Sequence, residues 1–166
     1  MKTLTAIGLL LVATLIQSLM GSSLIFDSRP DLTFIVVIAW SLLRGSGSGA
    51  LVGFTGGLLL DSISETPFGV YSALLGIAGY LAGWGEGSVY RVNVPLFALI
   101  GIGATLIYHT ASFMILQALG PDLPPVIRNY ELAVPAAVMN AVLLVPVFVG
   151  CRSALRNLTG WREIQV

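Results

Sequence analysis

Residues 31–61 read DLTFIVVIAWSLLRGSGSGALVGFTGGLLLD: two apolar runs, each of helix length, parted by Arg44 and a short Gly/Ser stretch, with an aspartate at either end. If the two runs form one re-entrant hairpin, Arg44 and Trp40 lie on the same side of a membrane as Asp31 and Asp61. If each run crosses, Arg44 and Trp40 lie on the opposite side. The rest of the chain decides between these readings.

Over 166 residues the composition is 56% hydrophobic and only 10% charged, and the mean hydropathy is +0.92. An ordinary soluble domain carries about 25% charged residues, so the composition is that of an integral membrane protein. A crossing helix needs about 20 mainly apolar residues. The apolar stretches 4–26, 31–43, 48–60, 67–84, 95–119 and 132–151 therefore predict an all-α protein of six transmembrane helices, with no separate soluble domain. One transmembrane domain covers residues 1–151, and residues 152–166 form a short amphipathic cytoplasmic tail with Leu155, Leu158, Trp161 and Ile164 set between Arg152, Arg156 and Arg162. The first run, beginning after Lys2, is expected to remain as a helix and not to be cleaved as a signal peptide.

Orientation follows from the bias of Lys and Arg toward cytoplasmic loops. With both termini cytoplasmic, Lys2, Arg44, Arg91, Arg152, Arg156 and Arg162 fall inside and only Arg29 and Arg128 outside. The carboxylates sort the other way: Asp27, Asp31, Asp61, Glu65, Asp122 and Glu131 fall outside, with Glu86 and Glu163 inside. Trp40, Trp84 and Trp161 then mark inner span ends, where amphipathic rings favour the headgroup region. This sorting favours two crossings for residues 31–61. A net charge of zero thus hides a polarised molecule and gives no indication of nucleic-acid binding.

Gly45, Gly49, Gly53 and Gly57 recur every four residues and share one helix face, with Gly76, Gly79 and Gly83 forming a second such surface. Small residues let backbones approach where lipid removes the hydrophobic drive. The stripes are expected to pack spans three and four together, or to form a homodimer seam. In spans five and six, His109 and Asn140 both lie about 14–16 Å from the outer loop at 1.5 Å per residue. They are expected to meet as an intramembrane polar pair, serving as interhelical glue or as a site for a ligand or proton.

Catalytic chemistry has no foothold. One His and one Cys, at His109 and Cys151, supply no metal-ligand cluster, and no nucleophile sits beside a base. No cofactor is expected.

At the outer face, Pro30 suits a first helical turn and Asp31 a helix N-terminus, whereas Asp61 closes span three at the negative end of its dipole. A compensating cation is therefore expected, and Arg29 is the candidate. Thr66 and Pro67 read as the N-cap and first residue of span four.

Arg29-Pro30-Asp31 heading an apolar span, then Gly53-Phe54-x-x-Gly57-Leu58-Leu59-x-Asp61, then Pro67-Phe68-Gly69 before a span containing Gly79-Tyr80-Leu81, resembles the rod shape-determining MreD family. The likeness runs through residues 29–83. It implies a non-catalytic scaffold in the bacterial inner membrane that binds the single-span protein MreC. Through MreC it would connect to MreB, RodA and its penicillin-binding transpeptidase, helping to organise peptidoglycan synthesis and cell shape. It also implies a fold similar to the substrate-binding subunits of energy-coupling-factor transporters, so capture of a small solute is the alternative function. By position the motif residues are Arg29, Pro30, Asp31, Asp61, Pro67 and Gly69, either shaping the outer ends of spans two to four or touching a partner.

Overall fold

A computed structural model describes residues 2–19, 30–64, 66–86, 94–119 and 126–159. Every regular element among them is helical: α1 (Lys2–Leu19), α2 (Leu32–Ile63), α3 (Val70–Ala82) continued by a 3-10 turn at Gly83–Gly85, α4 (Val94–Leu119) and α5 (Val126–Thr159). Arg29, Arg91, Asp122 and the tail beyond Thr159 lie outside the described residues.

The stretch 31–61 is a tight helical hairpin. Helical geometry in α2 is broken at Gly45, whose φ of 80° and ψ of 176° suit a residue without Cβ. The chain reverses there. A methyl group on Gly56 would lie 3.2 Å from Thr33 Cγ2, although a continuous helix would hold these residues about 34 Å apart. Trp40 Nε1 also donates to Ser48 Oγ across the turn at 2.9 Å. Residues 32–44 and 46–63 are thus antiparallel arms, here α2a and α2b.

Every side chain from Thr33 to Leu42 is buried, as expected for a helix that is apolar all round, and α2a is the central post of the bundle. One side of it packs with Leu74, Leu75, Tyr108 and Leu144 from α3, α4 and α5. Its other side packs with Ala6, Leu10 and Ala13 of α1. Trp40, placed by its sequence position at the headgroups, is 1% exposed and belongs to this core. Trp84 faces outward, edge-on to Tyr80 with ring centroids 5.6 Å apart.

The glycine stripe of α2b lies against α3. Methyl groups would collide with the Gly79 carbonyl at Gly49, with the Leu75 carbonyl at Gly53, with the Ser72 backbone at Gly57, and with Ser46 at Gly83; Gly76 has more room, with its nearest neighbour at 3.7 Å. At the turn itself, Gly45 faces the Glu86 carboxylate. The stripe is consumed within the chain and is not exposed for a second copy.

Two boundaries move. Span four begins at Val70 and not at Pro67, because Gly69, at φ 105°, is the residue that turns the chain into α3; Thr66 bonds Ser64 and caps nothing. Span two begins at Leu32 with Asp31 as N-cap, leaving Pro30 outside the helix. In addition α5 runs unbroken from Val126 to Thr159 through Pro135 and Pro146, so Cys151 marks no helix end and the first part of the expected tail continues the span. Prolines are tolerated in membrane helices because neighbours and local adjustments satisfy the freed carbonyls.

Residues 98–119 and 130–155 are each long and apolar enough to cross a membrane; α2 meets the same measure only as a single 32-residue element, which Gly45 folds in two. Residues 6–19 and 70–85 are shorter apolar helices.

Candidate functional site at the amino ends of α2 and α3

Most of the side-chain hydrogen bonds between helices among the described residues converge on the amino ends of two helices. An α-helix begins with unsatisfied backbone N–H groups, and inside an apolar body each must find an acceptor. For α2, Asp31 Oδ1 accepts the Phe34 N–H at 3.2 Å. Gln17 Oε1, from α1, accepts both the backbone N–H and the hydroxyl of Thr33 at 3.1 and 3.2 Å, and Thr14 and Thr33 pair through their hydroxyls at 3.1 Å. The backbone N–H of Asp31 donates to Asn140 Oδ1 of α5 at 2.9 Å. Asn140 Nδ2 in turn donates to Thr105 Oγ1 of α4 at 3.4 Å. One short network therefore ties α1, α2, α4 and α5 together.

Asp61 does the same for α3. Its two oxygens accept the N–H groups of Tyr71 at 2.9 Å and Ser72 at 3.0 Å, and the residue is 4% exposed. Its charge, unfavourable at the end of α2b, is placed at the positive end of α3. Arg29, expected opposite Asp61, lies outside the described residues. Pro67 and Gly69 complete the entry to α3, with Val70 N–H donating to the Pro67 carbonyl at 3.4 Å and Ala73 N–H to that of Gly69 at 3.0 Å. Pro30, Asp31, Asp61, Pro67 and Gly69 thus all belong to the same end of the bundle.

Depth is where the structure departs from expectation. Counting residues from loop ends put Asp31 at the membrane boundary and Asn140 near the midplane, yet the two are bonded. The start of α2 is level with Thr105 and Asn140, and α4 and α5 continue about 20 Å beyond it at 1.5 Å per residue. The α2–α3 rim is recessed beside a taller α4–α5 wall.

His109 and Asn140 are both described, and Asn140 spends its hydrogen bonds on Thr105 and Asp31, not on His109. The Nε2 atom of His109 is buried with no hydrogen-bond partner among the described residues. Its ring lies edge-on to Tyr108, centroids 5.6 Å apart. Tyr108, not singled out by the sequence, stacks at a tilt on Phe34 with centroids 4.8 Å apart and is 5% exposed. The only sequence signal for it is an aromatic hydroxyl beside the lone histidine. Gly56 was likewise missed, being off the four-residue stripe; it admits Leu10 and Val37. Among the described residues no three His, Cys, Asp or Glu side chains gather to hold a metal.

The family model described as rod shape-determining protein MreD matches residues 1–156. The chain belongs to the MreD family. It is a rod shape-determining, multi-pass membrane protein of that family, and the match extends well past the motifs at 29–83, over α4 and most of α5. No curated protein and no solved structure matches it. Among the described motif residues, Asp31 and Asp61 supply acceptors to the amino ends of α2 and α3, and Pro67 and Gly69 supply a carbonyl acceptor each at the entry to α3.

Proposed function

We propose that this MreD-family chain is a non-catalytic scaffold of the inner membrane that docks the single transmembrane helix of MreC and, through it, helps to organise peptidoglycan synthesis along the cell. The family match over residues 1–156 carries this reading. Three features of the molecule support it. Most of the side-chain hydrogen bonds between helices among the described residues hold the bundle together, the chain offers long exposed apolar surfaces on α1 and α4 (Leu15 is 62% and Ile107 72% exposed), and the α2 hairpin packs against both. In this reading α1, α2a, α2b, α3, α4 and α5 are six crossings with both termini in the cytoplasm, so that Arg44 at the hairpin turn faces inward, as the positive-inside rule favours.

Co-expression with MreC tests the proposal. Affinity purification of the full-length chain in mild detergent is expected to retain MreC in equimolar amount, and to retain it when the MreC periplasmic region is removed but not when its transmembrane helix is exchanged for an unrelated one. Equal recovery with the exchanged helix would overturn helix docking.

A further inference from the structure

Pro146 lies inside α5 and has no N–H to donate. The carbonyl of Val142, four residues earlier, therefore lacks the donor that an α-helix would give it. No side chain among the described residues donates to it instead. The exposed faces of α1 and α4 offer area alone, because α1 holds no proline and α4 only Pro95, in its first turn.

The acceptor lies on the outside of the bundle. Pro146 is exposed, and Val138, Val142 and Val149 are 51%, 68% and 58% exposed. A helix carbonyl points along the axis toward the residue four ahead, so the Val142 oxygen lies on the side that Val142 and Pro146 share. Ala141 and Leu144, on the other side of α5, meet Gly101 of α4.

Depth makes that position costly. The apolar length of α5 extends from Tyr130 to Leu155. Val142 is 12 residues from one end and 13 from the other, about 18 and 20 Å at 1.5 Å per residue. Both distances exceed half of a hydrocarbon layer roughly 30 Å thick, and lipid chains have no proton to give. Pro135, the other proline inside α5, frees the carbonyl of Glu131, one residue from the outer end of the apolar length, where headgroups and water reach it. At membrane depth a freed backbone group needs protein or a water-filled cavity beside it.

That need selects the occupant. A second copy packed in parallel through the same face would set Val142 opposite Val142. The nearest exposed α5 side chains with a proton to give, Arg152 and Tyr130, are 10 and 12 residues away, about 15 and 18 Å. A symmetric dimer thus leaves both carbonyls without a donor, whereas a helix of another protein with a hydroxyl or amide at mid-membrane supplies one. Shape agrees. Beyond Val142 the ridge falls to the Pro146 ring and to Gly150, where a methyl group would meet nothing within 4 Å, so a helix can approach closely at the level of the acceptor.

We propose that the α5 face from Val138 to Gly150 is the surface on which the partner helix docks, and that a hydroxyl or amide side chain near the middle of that helix donates a hydrogen bond to the Val142 carbonyl. The inference rests on the reading of MreC as that partner and adds to it the face and the bond.

Photoreactive side chains are introduced one at a time at Val138, Val142, Leu11 and Ile107 of the full-length chain co-expressed with MreC. Crosslinks to MreC are expected from the two α5 positions and not from Leu11 of α1 or Ile107 of α4. In liposomes, Pro146→Ala, which returns an N–H to the carbonyl, is expected to weaken association with labelled MreC about threefold, one interhelical bond of average strength. Pro135→Ala is expected to leave it unchanged. Among apolar replacements of hydroxyl and amide side chains in the middle turns of the MreC helix, one is expected to cost the same factor and to add nothing to Pro146→Ala. MreC retained without crosslinks from Val138 and Val142, crosslinks of equal strength from all four positions, or an affinity that Pro146→Ala leaves unchanged would overturn this surface while the scaffold reading stands. MreC not retained at all would overturn both. Thermal melting of the two proline variants, expected at or above the parent, separates loss of docking from loss of the fold.

Discussion

Asn140 Oδ1 accepts the backbone N–H of Asp31 at 2.9 Å, joining the middle of α5 to the residue that caps α2. The bond fixes the depth of the hairpin within the bundle. It also makes Asn140 the hinge of a network reaching Thr105 on its other side. Asn140→Leu removes both bonds and strands a buried N–H, which typically costs about 1–3 kcal/mol. A lower unfolding midpoint in detergent, accompanied by increased proteolysis between α1 and α2, is the expected outcome. Thr105→Val removes the 3.4 Å interhelical contact and the hydroxyl's bond to the Gly101 carbonyl within its own helix, but leaves the Asp31 N–H paired, and should cost less, near the 0.6 kcal/mol average for interhelical bonds in membranes.

Asp61 is the acceptor for two N–H groups of α3. Asp61→Ala leaves both without a partner and is expected to destabilise by about 2 kcal/mol. Asp61→Asn keeps one acceptor oxygen and turns an amide NH2 toward the second N–H, so it should retain about half of that stability. If the two variants melt alike, charge and not capping is what Asp61 contributes.

Position along the glycine stripe predicts tolerance to a methyl group. Gly53→Ala places Cβ on the Leu75 carbonyl, a backbone atom that cannot step aside, whereas Gly76→Ala finds 3.7 Å of room and Gly103 has nothing within 4 Å. Overpacking of this kind costs about 1–3 kcal/mol, so Gly53→Ala should lower the melting point while Gly76→Ala and Gly103→Ala stay near the parent. Complementation of rod shape in a depleted strain should follow the same order.

His109 buries Nε2 without a partner. An apolar replacement removes that unpaired atom, and His109→Leu is expected to melt at or above the parent temperature. A clear loss of stability would reveal a hydrogen bond that the imidazole makes in the membrane. Loss of shape complementation at unchanged stability would instead assign His109 a direct functional contact.

The hairpin turn at Gly45 gives the sharpest test of orientation. Ser46→Cys, next to the turn and beside Gly83, is expected to react with a membrane-permeant maleimide and to resist an impermeant one applied to intact cells. Reaction with the impermeant reagent would place the turn on the periplasmic side and overturn the six-crossing arrangement.

The sequence exposed different parts of this structure to different degrees, and for physical reasons. Residues 31–61 were legible as two arms because Arg44 and the glycines interrupt a purely apolar run, and the period-four glycines had to lie on one helix face whatever they packed against. The start of α3 was not, because Thr66-Pro67 is a good local cap and only tertiary geometry, with Asp61 reaching across to Tyr71 and Ser72, moves the helix start to Val70. Trp40 looked like a headgroup anchor because a residue count places it near the inner boundary, but α2a is enclosed on all sides and its indole finds Ser48 within the protein. A residue count puts His109 and Asn140 at similar depth along their own helices. Their partners were hidden, since the level at which α2 begins is set by contacts more than a hundred residues apart.

Gly45 carries a consequence for how the protein enters the membrane. Arm α2a, at about 20 Å, is shorter than the roughly 30 Å of hydrocarbon it would have to cross alone, and its surface is completed only by α2b and α1. Residues 32–44 by themselves are thus a poor match to the thickness of a bilayer. The two arms are therefore expected to enter the membrane as a pair, and a reporter fused just after Arg44 should integrate poorly where one fused after Ile63 integrates well.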